Sequence, residues 1–218
     1  MIHSKSTDDL IAELNLLDES DAIEAKEVSG NEVGSSIYET ICAFSNEPGL
    51  GGGVILLGLK KELGQLFPVY KLTGIKDPDK IQSDIVSACQ SKFNTPIRPI
   101  VKRELIQNRT IVRIDIAELP AEQKPISIKN LGLPRGVLRR IGSSDVHCSQ
   151  DDLIAFFQDR SHSNYDAHTV RDSSTQDIDP TAIALYRRFI AEHKPTSLVL
   201  SMTNDEILYS TTSLKTAE

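Results

Sequence analysis

The chain has 218 residues, enough for one sizeable core plus an appendage, and its 39% apolar and 25% charged shares are those of a globular chain rather than a fibrous or disordered one. No apolar run approaches the roughly 18 residues of a membrane span, Met1 to Asp9 holds no apolar signal core, and three scattered cysteines do not make a disulfide framework, so a reducing cytoplasm is the expected compartment. A formal net charge of −7 argues against a generic phosphate-binding protein. Yet residues 1–50 carry two lysines against eleven carboxylates, whereas residues 92–145 carry eleven Lys or Arg against five.

In chain order, Thr7-Asp8-Asp9 reads as a capped helix start leading into the stripe Leu10, Ile11, Leu14 and Leu17. Ile23 to Glu27 reads as a short strand, and Val33 to Asn46 as a helix burying Ile37, Ile41 and Phe44. After the breaker cluster Asn46 to Gly53, the continuously apolar Val54 to Leu59 predicts a strand covered on both faces. Asp79 to Phe93 is helical in pattern, and Pro96 and Pro99 hold the next segment extended. Arg109 to Ile116 alternates, with Val112, Ile114 and Ile116 opposite Arg113 and Asp115, and predicts a half-buried strand.

Ile126 to Lys129 and Val137 to Ile141 are two further strand candidates, joined through Gly132, Pro134 and Gly136 into an expected hairpin. Ser149 to Asp152 is a capping box before Leu153, Ile154, Phe156 and Phe157. The expected fold class is α+β, α/β-like: a mixed β-sheet flanked by helices, with a short helical C-terminal appendage. The expected division is a domain over 1–160, a polar linker over 161–178 and a helical tail over 179–218, with Asp179-Pro180 and Thr203 to Glu206 as helix starts. Two short helices cannot make a core alone, so the tail is expected to pack on the first domain, on a second chain, or on sequence beyond Glu218.

Four places invite chemistry. Glu19 and Glu24, with Lys26 on the same strand face as Glu24, could hold a divalent metal or serve as structural ion-pair partners. Gly49, Gly51, Gly52 and Gly53 follow a helix and precede a strand, the reverse of a Walker A loop, and no Lys-Ser or Lys-Thr follows them; a turn needing positive φ is the better reading. His147-Cys148 has no partners at zinc spacing, so Cys148 is expected to be buried and His147 to lie in a turn. Lys129, Arg135, Arg139 and Arg140 around the expected hairpin, with Lys102, Arg103 and Arg113 on adjoining strands, form a candidate phosphate-tracking surface; the bland alternative is a solvated strand face. With no Trp in the chain, base stacking is a minor contributor.

Taken in order, Glu19-Ser20, Ile23-Glu24-Ala25-Lys26, Thr40 through Asn46 (T-I-C-A-F-S-N), Gly52-Gly53-Val54 through Gly58-Leu59, Asp77-Pro78-Asp79 and Arg140 through Ser144 (R-I-G-S-S) resemble the Schlafen-type AlbA-like domain family over roughly residues 8–160. The resemblance implies nucleic-acid binding and a regulatory role, on DNA or RNA. In the ribonuclease branch of that family it implies three acids around Mg or Mn, the third just after the glycine-flanked strand. Here Gly58-Leu59 is followed by Lys60 and Lys61, and the first acid is Glu62. Catalysis and a cofactor are therefore not expected, and a metal-dependent endoribonuclease using Glu19, Glu24 and Glu62 is the enzymatic alternative; an oligomerisation domain is the third. Schlafen cores pair two similar lobes, which implies a homodimer for a one-lobe chain, and family members often continue C-terminally.

Overall fold

In the computed structural model, which describes residues 2–28, 30, 32–165 and 179–211, the most apolar runs of the sequence become the middle of a four-stranded sheet. The elements run α1 (Thr7–Leu17), β1 (Ile23–Lys26), α2 (Ser35–Asn46), β2 (Gly53–Leu57), β3 (Leu59–Lys61), β4 (Tyr70–Leu72), α3 (Pro78–Ser91), β5 (Ile100–Ile106), β6 (Arg109–Ile116), β7 (Leu138–Ile141), β8 (Ser144–His147), α4 (Gln150–Tyr165), α5 (Pro180–His193) and α6 (Asn204–Thr211). The main sheet has the order β1-β2-β6-β5, parallel at β1-β2 and antiparallel elsewhere. Alternation along β2 explains its unbroken apolar run. Val54 and Leu56 face Leu10 and Leu14 of α1 in one core cluster, while Ile55 and Leu57 join Ile41, Phe44, Ile81 and Ile85 of α2 and α3 in the other.

β6 departs from the half-buried expectation. Val112, Ile114 and Ile116 pack toward α2 and α3, but Arg113 and Asp115 on the other face are buried too. The N-terminal segment covers them: Arg113 makes two bonds to the Asp115 carboxylate, at 2.8 and 2.9 Å, and donates to the carbonyls of His3 and Lys5. Alternation reports only that the two faces differ, and an ion pair capped by carbonyls is a buried solution that alternation cannot distinguish from solvent.

The apolar strand ends at Leu57 rather than Leu59. Gly58, at φ +94°, takes the chain out of the main sheet, its carbonyl accepting from Thr73 and Gly74, and Leu59 starts a separate two-stranded ribbon with β4. α1 is capped by Ser6, one residue before the expected start, whose hydroxyl accepts from Asp9 N at 3.2 Å. The expected hairpin also forms elsewhere. Residues 126–128 form no strand beyond a single antiparallel bridge from Ile128 to Phe93, 129–131 make a 3₁₀ turn, and β7 pairs instead with β8 through the two-residue loop Gly142-Ser143. His147 is accordingly a strand residue; Cys148, just beyond it, is buried.

The chain divides into units 1–165 and 166–218. α4 runs five residues past Arg160, and residues 166–178, most of the expected linker, lie outside the described residues. Within the second unit, Ile183 of α5 packs with Ile207 and Leu208 of α6, flanked by Tyr186, Val199 and Met202. Among the described residues no helix is long and apolar enough to cross a membrane.

Candidate nucleic-acid interface

Glu24 and Arg140, from two of the sequence motifs, meet in a buried network. Glu24 on β1 is 4% exposed and Arg140 on β7 is 3% exposed. One Glu24 oxygen receives Arg140 Nη2 at 2.7 Å; the other pairs with Lys26 Nζ at 2.6 Å. Arg140 also donates to Asp145 at 2.9 Å and to the Ser20 carbonyl at 2.9 Å, and Asp145 in turn accepts from the Thr40 hydroxyl at 2.5 Å. The guanidinium lies 5.0 Å over the ring of Phe44, and its Nε is the one nitrogen left without an acceptor. Burial alone would lower the Arg140 pKa, but Glu24 and then Asp145 outweigh it and the pKa is raised. Three stretches distant in sequence are thereby locked together, with Asn46 completing the lock by bonding Ile126 N, Ile126 O and Leu138 O.

Arg140 is therefore withdrawn from the candidate phosphate contacts, because its guanidinium is committed inside the protein. Arg139 is half-committed: it forks onto both oxygens of Glu47, at 2.7 and 3.0 Å, and reaches Asp152 at 2.7 Å. Hydrogen bonding to Glu47 and then Asp152 raises its pKa further. Arg113 lies beneath the N-terminus, as described above. Arg103 is exposed but paired with Asp79.

What remains exposed is a different set. Arg135 and Lys102 make no ion pair among the described residues, and Lys129 donates only to the Ser91 carbonyl, at 2.9 Å. Lys129 and Arg135 share the 129–135 loop, folded back by Gly136 N donating to Gly132 O and Ile128 N to Gly136 O. A Cβ at residue 136 would lie 2.6 Å from Ile128 O, so Gly136 is what permits this close return. The loop abuts the end of α3, where Lys129 N bonds Lys92 O and Lys92 Nζ sits 4.7 Å over the Tyr38 ring. Lys92 was not among the sequence candidates; its position at a helix end, beside a loop distant in sequence, carried no local signal. Lys102 is separate, on β5, and on the opposite sheet face from Arg103.

The metal alternative fits poorly. Both Glu24 oxygens are held by cations. Glu19 Oε1 accepts from Ala25 N at 3.0 Å, and burial followed by the neighbouring Glu24 pushes its pKa up. Glu62 pairs with Lys71 at 2.5 Å beyond the β3 ribbon, carried off the main sheet by Gly58. Lys60 pairs with Glu27 at 3.0 Å. Among the described residues no three His, Cys, Asp or Glu side chains are grouped to hold a metal.

The glycine turn is likewise filled from within. Gly49, Gly51 and Gly52 have φ of +77°, +77° and +92°, and the amides of Gly49 and Gly51 donate to the two Glu118 oxygens at 3.0 and 2.7 Å. Lys124 neutralises that carboxylate at 2.6 Å. Burial would raise the Glu118 pKa, but Lys124 and the two amides more than offset it.

Against known families, the Schlafen, AlbA_2 model matches residues 19–149, and a domain of unknown function (DUF8451) matches residues 154–218. Among solved structures, the N-terminal domain of an ATP-dependent DNA helicase RecG-related protein from Nitrosomonas europaea is 43% identical, with TM-score 0.55, over 66% of this chain and 94% of that one. The DIP2311 protein from Corynebacterium diphtheriae aligns at 18% identity and TM-score 0.46, over 95% of this chain and 42% of its own. No curated protein matches.

Proposed function

The chain belongs to the Schlafen AlbA_2 family, and from that premise we propose that it binds nucleic acid by its phosphates, without catalytic turnover, as a regulatory protein of the cytoplasm. The observation that carries the reading is the sorting of its cations. Five of the eleven basic residues in 92–145, namely Arg103, Arg113, Lys124, Arg139 and Arg140, are ion-paired, while Lys129 and Arg135, with Lys92 alongside, stand at one surface with no carboxylate partner among the described residues. A likeness to the N-terminal domain of a helicase-related protein supports the same class of ligand. Three cations on an otherwise acidic chain suit a weak, strongly salt-dependent contact with duplex DNA or structured RNA. A homodimer would double the number of such contacts.

The test is titration of a labelled duplex and a structured RNA at several salt concentrations. Lys129→Glu with Arg135→Glu weakens binding to every sequence alike and lowers the salt slope by about two, one for each lost phosphate contact. Unchanged affinity and slope in that double variant would remove the 129–135 loop from the interface. Cleavage that requires Mg²⁺ or Mn²⁺ and is lost in Glu24→Gln would replace the reading with a nuclease.

A further inference from the structure

β5 is the edge of the main sheet, and its seven residues, Ile-Val-Lys-Arg-Glu-Leu-Ile, read as a self-complementary strand. Ile100 is 60% exposed and Leu105 69% exposed, an unusual pair of large apolar side chains for an open edge. Laid antiparallel on a second copy about Arg103, the sequence sets Ile100 against Ile106, Val101 against Leu105 and Lys102 against Glu104, each pair occurring twice. Opposite charges face each other, and so do apolar residues.

The backbone is aimed to match. The β5-β6 turn consists of Gln107 (φ +46°) and Asn108 (φ +60°), a two-residue hairpin loop, so Ile106 and Arg109 flank it as a hydrogen-bonded pair. Parity then turns the N–H and C=O groups of Val101, Arg103 and Leu105 outward. The side chain of Gln82 confirms the direction by donating to the Val101 carbonyl at 3.3 Å, a long bond that is easily given up. Those outward groups have no backbone partner among the described residues. Arg103, at the centre, would oppose its own copy, but each is neutralised by Asp79 of its own chain. On that face an open groove of about 470 Å³, lined by Asp79, Gln82, Ser83, Val86 and Ser87 of α3 and by Arg103, lies beside the strand where the partner would sit, with Val86 its one apolar wall.

We infer that β5 is a homodimerisation edge, pairing antiparallel with β5 of a second copy to give a continuous eight-stranded sheet. This surface stands apart from the 129–135 loop, so either assignment can fail without the other.

Sedimentation of the full chain over a range of concentrations is the first measurement, and a reversible dimer is expected. Lys102→Glu and Glu104→Lys each place like charges face to face and raise the dissociation constant by about tenfold or more. The exchanged pair Lys102→Glu with Glu104→Lys restores opposite charges and recovers the dimer. Arg103→Pro removes an outward N–H together with the exposed pair to Asp79, leaves the β6 ladder intact and abolishes association with the circular dichroism spectrum unchanged. Amide exchange at Val101, Arg103 and Leu105 slows as concentration rises. A monomer at all concentrations overturns the inference, and so does a dimer indifferent to all these variants or one whose Val101, Arg103 and Leu105 amides stay unprotected.

Discussion

At the scale of single residues, the fate of Arg140 decides how the buried network should be read. Its partner Glu24 is as deeply buried, and desolvating two charges costs nearly what their attraction returns. The pair is therefore a device for alignment rather than a reservoir of stability: it ties β7 to β1, and through Asp145 and Thr40 to α2. Arg140→Ala leaves Glu24 with Lys26 alone inside the protein and is expected to cost about 3–5 kcal/mol of unfolding free energy in urea. Glu24→Leu combined with Arg140→Met is expected to recover most of that loss. A double variant no more stable than Arg140→Ala would show that the pair itself is strongly stabilising. Acid acts on a different pair of carboxylates. Burial pushes Asp115 and Glu118 upward, but Arg113 with His3, and Lys124 with the glycine amides, bring both below the usual carboxylate range. A depressed folded-state pKa contributes stability above the unfolded value and loses it as pH falls through the folded one. Unfolding free energy is therefore expected to decline below about pH 4, and Asp115→Asn to flatten part of that decline.

Among the elements, what the sequence made legible followed from how far each pattern reached. The bounds of β6 were readable to the residue, though its burial on both faces was not, and the capping box at Ser149 closed as its spacing required, Asp152 N donating to Ser149 Oγ at 3.1 Å and Ser149 N to Asp152 at 2.9 Å. Such signals are local. The strand partner of residues 138–141 is not legible in the sequence, because Gly132, Pro134 and Gly136 before them offer as good a turn as Gly142-Ser143 after them, and the choice is made by distant partners. Asn46 holds residue 126 by its backbone, and Glu47 and Glu24 pull the β7 arginines inward. The same limit explains the candidate interface. A basic run was visible, but which of its cations face solvent depends on carboxylates some 90 to 116 residues away in sequence, at Glu47 and Glu24. The glycine turn supplies a sharp test of element packing. A Cβ at residue 52 would lie 2.0 Å from Ile116 O, and one at residue 53 would lie 2.6 Å from the Phe44 ring. Gly52→Ala also forces alanine to φ +92°, so it is expected to destabilise by more than the roughly 1 kcal/mol that separates Gly from Ala in an unconstrained strand. Gly51→Ala, at φ +77° but with open space around its Cβ, isolates the backbone cost alone. Equal melting temperatures for the two variants would contradict the close approach of β2 to the end of β6.

For the molecule as a whole, the two units differ in how much core each owns. Unit 1–165 has both faces of its sheet covered, with Phe44, Ile55, Leu56 and Ile85 fully buried. The second unit was expected to lack any core of its own, since two short helices bury too little. Its described residues close a small one because the 3₁₀ turn Leu198–Ser201, unremarked in the sequence, brings Val199 beneath α5 while Arg187 holds the carbonyls of Leu200 and Met202 and the side chain of Asn204. That core is three buried residues with three flanking ones, and Leu185, Phe189 and Leu198 remain 56–78% exposed. Chains that bury so little are marginal without further support, and short helices in water are weakly populated by themselves. Fragment 1–165 is therefore expected to unfold in one cooperative transition near that of the full chain, whereas fragment 166–218 alone is expected to show weak helicity that fades gradually on heating, without a sigmoidal melt. Arg187→Ala should reduce that residual helicity further. A cooperative melt of 166–218 in isolation would show that the Arg187 clasp and its six apolar side chains suffice as an independent fold.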